Sequence, residues 1–158
     1  MNPVDKIIQQ ANDPIRFRLN ILTVPSHERY ETQLCKTGHN FFAIDFTEGK
    51  KWETKSAPLP KNYYILPTDQ LTTHIDYDII LIHDKKMYEL GENLIKKIKA
   101  PLIILEHQQP MSDLFGEQYV SDYRNKVGDV NVFVTDVGQK SWGIKNNSLV
   151  INHSIDYK

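Results

Sequence analysis

Three scarcities frame this chain: a single cysteine, a net charge close to zero, and no apolar run longer than four residues. With one cysteine no internal disulfide can form, and Cys35 falls on the apolar side of a helical pattern, so it reads as a core thiol in a reducing compartment. The 19 basic and 20 acidic residues leave a formal charge of −1. That balance offers nothing extra to hold a phosphate backbone, and nucleic acid is not the expected partner. The longest apolar runs, such as Ile79–Ile82 and Leu102–Leu105, fall far short of the roughly 20 residues a membrane-crossing helix needs. The N-terminus carries Asp5 and Lys6 without the apolar stretch of a signal peptide. The expectation is a soluble, cytoplasmic protein with no membrane span.

Glycine patterns are missing as well. The first turn, Pro25-Ser26-His27-Glu28-Arg29, has no G-x-G-x-x-G fingerprint, and neither a P-loop nor a G-x-S-x-G elbow occurs. No pair of histidines has the i, i+4 spacing of helical metal ligands, and no cysteine cluster supports one. Neither a metal nor a cofactor is therefore expected.

What is present is an ordinary globular composition, 40% hydrophobic and 25% charged over 158 residues, which suggests one domain spanning residues 1–158. Residues 1–15 read as a short polar helix or tail. Leu19–Val24 is an apolar, β-branched run stopped by Pro25 and predicts a buried first strand. Ser26 then serves as a helix cap, with Tyr30, Leu34 and Cys35 at helical spacing and Gly38 at the end. Strands are predicted at 40–44, 63–66, 77–82, 102–105, 130–135 and 149–151. Helices are predicted at 88–99, where Leu90, Leu94, Ile95 and Ile98 share a face, at 112–124 and at 137–142, the last stopped by Gly143. Strands alternating with helices favour an α/β fold with a doubly wound, mostly parallel, Rossmann-like sheet.

Such sheets collect ligands at the carboxyl ends of their strands. His27, His83, His107 and His153 each follow a predicted strand within about three residues, whereas His39 and His74 lie in connecting segments. An imidazole donates, accepts or carries a proton near neutral pH, which makes this end of the sheet chemically suggestive. His107 stands out because Glu106 precedes it and Gln108, Gln109 and Pro110 follow. Glu106 either orients the imidazole, binds a hydroxyl or forms a structural ion pair; spacing does not choose. Ser26 is either a cap and no more or a donor to an anionic or hydroxylated ligand. Trp52, Tyr63, Tyr64 and Trp142 are available to stack on a sugar ring, and aromatics of this sort also complete cores.

Several segments together resemble the N-terminal, acceptor-side half of a GT-B glycosyltransferase of the GT4-like group, including versions carried by bacteriophages. They are TVPSHERYETQLCKTGH (23–39), PKNY (60–63), IDYDIIL (75–81), PLIILEH (101–107) with Pro110, NVFVT (131–135), Trp142-Gly143 and VINHSID (150–156). The resemblance implies two facing Rossmann-like domains, with the acceptor bound mostly by the first and the nucleotide-sugar mostly by the second. It implies that His107, with Glu106 beside it, contacts the transferred sugar or assists the reaction without a metal, and that Ser26, His27, His83 and His153 border the cleft as substrate-binding residues. Ser154 replaces the glycine of the family's His-Gly-Ile-Asp stretch. No second domain follows residue 158 in this sequence. A sugar acceptor is then the expected ligand, a nucleotide-sugar binds only in an assembled enzyme, and a partner chain or a homo-oligomer supplies the donor side. In a phage-encoded version the compartment is the host cytoplasm. The alternative is a non-catalytic binding or assembly module derived from such a domain.

Overall fold

The computed structural model describes residues 18–45, 52–67, 71 and 74–152. The tail expected at 1–15, together with His153 and Ser154, lies outside them. Seven strands make one sheet: β1 (Asn20–Thr23), β2 (Asn40–Asp45), β3 (Tyr63–Pro67), β4 (Ile79–Ile82), β5 (Leu102–Glu106), β6 (Val130–Phe133) and β7 (Ser148–Val150). They lie in the order β3-β2-β1-β4-β5-β6-β7, and every neighbouring pair is parallel. The sheet is thus wholly rather than mostly parallel, an α/β, Rossmann-like doubly wound arrangement.

The apolar runs explain this directly. A parallel strand covered on both faces has no polar side to alternate with, and all four residues of β4 are buried, Ile80 and Ile82 completely. Alternate side chains feed two cores. Ile21, Ile79, Leu81 and Leu105 point with Cys35, Tyr30 and Leu34 into one, under helix α1 (Glu28–Cys35). Leu22, Ile80, Ile82, Leu102 and Ile104 point into the other, against Leu90, Leu94, Ile95 and Ile98 of helix α2 (Tyr88–Ile98). A glycine sits where α2 comes closest to the sheet: a Cβ on Gly91 would stand 3.0 Å from a Leu102 methyl. A third cluster, Val120, Phe133, Trp142 and Ile144, packs near β6.

Two helix expectations are corrected. The segment 112–124 is not one helix but two, α3 (Ser112–Phe115) and α4 (Glu117–Arg124). Gly116 divides them at φ 82°, ψ 161°, a conformation incompatible with a continuous α-helix and open to glycine. Ser26 does not cap α1. The cap is His27, whose Nδ1 accepts from the Arg29 N–H at 3.2 Å. Ser26 stands one residue too early for that bond, and its hydroxyl is turned to Glu31 instead. The helix expected at 137–142 is observed as α5 (Asp136–Trp142), capped by Thr135 and ended by Gly143 at φ 70°. A short 3-10 turn, Lys85–Met87, precedes α2, with Asp84 as its cap.

Among the described residues no helix is long and apolar enough to cross a membrane.

Candidate functional site

The strand order reverses at β1: the chain leaves it towards β2 on one side, while β4, β5, β6 and β7 extend on the other. In open parallel sheets ligands are bound at such a switch point, here beyond the carboxyl ends of β1 and β4. Thr23 ends β1, and the register Thr23↔Leu81 places His83, two residues further along, next to it. Glu106 ends the neighbouring β5, so His107 emerges beside His83. These positions follow from the sheet alone.

The side chains form a hydrogen-bonded chain. Glu31, on the first turns of α1, is buried to 1% exposure. Its Oε1 accepts from the Ser26 backbone N–H at 2.9 Å and the Ser26 hydroxyl at 3.2 Å. His83 Nε2 lies 3.2 Å from the same oxygen and 3.4 Å from Thr23 Oγ1. His83 Nδ1 in turn is 3.3 Å from His107 Nε2. The two rings are roughly parallel, and Tyr30 meets both edge-on, at centroid distances of 5.6 and 4.6 Å.

Donor and acceptor logic sets the protons. A carboxylate only accepts, so the hydrogen between Glu31 and His83 belongs to His83 Nε2. In the tautomer with its proton on Nε2, His83 offers a lone pair at Nδ1 to the His107 Nε2–H, and the basic nitrogen of His107 is then Nδ1. Buried carboxylate, buried imidazole and half-buried imidazole thus make a relay with its basic end at His107.

Glu31 influences its surroundings through its negative charge. Its Oε2 and the Tyr63 hydroxyl are both buried, close enough that the Tyr63 phenol responds to the Glu31 carboxylate. Burial first, and then the Glu31 charge, push the Tyr30 phenol and the Cys35 thiol each up to about 12. Burial first, then the Glu31 charge, with smaller contributions from Cys35, a side-chain hydrogen bond to Glu31 and the Glu28 charge, raise Tyr63 further still.

The hydrogen bonds seen for Glu106 run to backbone N–H groups. Its carboxylate accepts from two backbone N–H groups, Lys85 at 3.2 Å and Gln108 at 2.9 Å, and so ties the β4 loop to the β5 loop. Burial pushes it up to about 7; the Asp84 charge adds to the rise, while the two N–H bonds and the Lys85 charge oppose it. Lys85 is itself buried, its Nζ donating to the Lys126 carbonyl and standing 5.6 Å above the Trp142 ring. Burial pulls it down to about 8 against the pull of Glu106. Around this pair lies a shallow, open surface depression lined in part by Gln108, Gln109, Phe115, Tyr119 and Trp142.

The structure therefore brings together Ser26, His83 and His107, with Glu106 on the far side of the β5 loop. His27 is exposed and spends its Nδ1 on the helix cap. Of the four aromatics considered for stacking, Trp52, Tyr63 and Trp142 are packed. Trp52 and Trp142 donate their indole N–H groups to Ala57 and Gln108 carbonyls at 2.8 Å each. Tyr64 alone is well exposed, stacked on Phe42 near the β3 edge. Glu31 escaped the sequence reading, and Tyr30 entered it only as part of the apolar face of the first helix. The available signal was a carboxylate four residues before Cys35, on the inward face of an otherwise apolar helical stripe.

Among the described residues no group of three His, Cys, Asp or Glu side chains is arranged to hold a metal ion. Compared with known proteins, the chain matches no family model, no curated protein and no solved structure.

Proposed function

We propose that this domain is the acceptor-side half of a sugar-transferring enzyme, in which His107 receives the proton lost by an acceptor hydroxyl. The observation that carries the reading is the Glu31–His83–His107 relay at the switch point, with contacts of 3.2 and 3.3 Å. A histidine aligned by a buried carboxylate through a second ring is suited to general-base work on a hydroxyl. In the proposed step the acceptor oxygen bonds to the anomeric carbon of the donor sugar. The bond from that carbon to the diphosphate breaks, the electron pair leaves with the nucleoside diphosphate, and the proton passes to His107.

The donor nucleotide-sugar is assigned to a separate domain or chain, in keeping with the resemblance and with the glycine-free turn after β1. Apolar residues on the segments that follow β5, β6 and β7 suit a covering body: Leu114 is 74% exposed, Val137 57% and Ile151 58%. The same residues would serve a non-catalytic assembly module, which is the second reading.

The test is nucleoside diphosphate release from a panel of nucleotide-sugars. The chain is assayed alone and with candidate donor-domain proteins encoded beside its gene. Release should require a partner and fall by roughly 10²- to 10⁴-fold in His107→Ala. Undiminished turnover in that variant removes His107 from the chemistry. Complex formation without any release favours the assembly module.

A further inference from the structure

We propose that Glu31 is an internal anion filling the phosphate position of the turn after β1, so that the site admits uncharged hydroxylated ligands and turns away phosphorylated ones. The inference deepens the reading of this site as one that receives an acceptor hydroxyl, and its structural part stands apart from the transfer chemistry.

In parallel sheets of this strand order the turn after β1 and the start of the following helix form an anion site, because backbone N–H groups point outward there. Here the Ser26 and Arg29 donors of that turn are already engaged within the chain. The Ser26 N–H, the Ser26 hydroxyl and His83 Nε2 converge on one oxygen of Glu31, at 2.9, 3.2 and 3.2 Å. The Arg29 N–H is taken by His27 Nδ1 at 3.2 Å. Three donors aimed at one carboxylate oxygen reproduce the way such a turn holds a phosphate oxygen. The carboxylate comes from inside, since Glu31 is only 1% exposed. With its three donors already spent on Glu31 Oε1, this turn has none of them left for a ligand phosphate. Pro25-Ser26-His27 also lacks the glycine that lets a phosphate approach the backbone closely.

A neutral hydroxyl suffers neither penalty. It needs only the basic nitrogen of His107, which the relay supplies. Glu31 thus has two linked consequences: it orients the histidines, and it sets the charge of what they meet.

The experiment is an NMR titration with inorganic phosphate, following the Ser26 amide and the imidazole signals of His83. The wild-type chain should show no saturable shift at millimolar phosphate. Glu31→Ala, which empties the position but keeps the donors, should bind phosphate at Ser26 and His83 at least about tenfold more tightly than the wild-type chain. Glu31→Ser serves as a second variant with a small polar side chain, and circular dichroism confirms that each is folded. A saturable wild-type response at Ser26 and His83 matching that of the variants overturns the proposal, as does a folded Glu31→Ala or Glu31→Ser that binds no phosphate there. Should neither variant fold, the wild-type titration decides alone: saturable shifts overturn the proposal and their absence supports it. Loss of the proposed sugar transfer would not alter any of these readings, so the two can fail separately.

Discussion

Replacing Lys85 with methionine should change how stability depends on pH in a way worked out from two buried charges. Burial lowers the Lys85 ammonium from 10.5 to about 8 and raises the Glu106 carboxyl from 4.5 to about 7. Each tenfold change in proton affinity is worth about 1.4 kcal/mol, so each group disfavours folding by about 3 kcal/mol when charged. For Glu106 the folded chain holds its proton longer, and stability falls as pH rises from 4.5 to about 7. For Lys85 the folded chain gives up its proton sooner, and stability climbs as pH rises from about 8 to 10.5. Methionine fills similar space without a charge. It forfeits the hydrogen bond to the Lys126 carbonyl, a loss of about 1–2 kcal/mol, against about 3 kcal/mol recovered below pH 8. Lys85→Met should therefore be about 1–2 kcal/mol more stable than wild type at pH 7. That advantage should shrink by about 3 kcal/mol as pH passes 10.5. Losing the cation also lets Glu106 hold its proton to higher pH, which acts in the same direction. Urea unfolding of both proteins across this range gives the difference directly. A difference that stays flat between pH 8 and 10.5 would refute the claim that Lys85 is a desolvated cation.

Two further substitutions probe the frame that holds the site. Ile80→Ala, at a fully buried position of the central β4, should lower unfolding free energy by about 2–5 kcal/mol in urea titrations. Lys99 ends α2 with φ 56°, a left-handed conformation that costs a side chain about 1 kcal/mol, so Lys99→Gly should raise the melting temperature slightly despite the greater freedom of glycine in the unfolded chain.

Much of the frame was legible before the structure. The uninterrupted apolar runs of β4 and β5 announce strands covered on both faces, and their alternation with helices leaves few topologies besides a doubly wound sheet. Boundaries were less legible where side chains decide them. Tyr77 and Asp78 look like the start of β4, yet Asp78 accepts from the Asn20 N–H at 2.9 Å and β4 begins at Ile79. The site was half visible. That His83 and His107 end adjacent strands follows from pattern, because carboxyl ends of neighbouring parallel strands lie side by side. That Glu31, and not Glu106, is the carboxylate reaching them does not follow. It depends on how α1 rotates over the sheet, and the residue adjacent in sequence to His107 turns instead towards backbone N–H groups of its own loop.

The relay from Glu31 through His83 to His107 is the centre of the account, and nitrogen NMR of the imidazole rings tests it most directly. At a pH where both rings are neutral, His83 and His107 should each carry the proton on Nε2 and leave Nδ1 bare. Glu31→Leu should release this order and give mixed tautomers in both. A proton on His107 Nδ1 in the wild-type chain, or tautomers indifferent to the loss of Glu31, would contradict it.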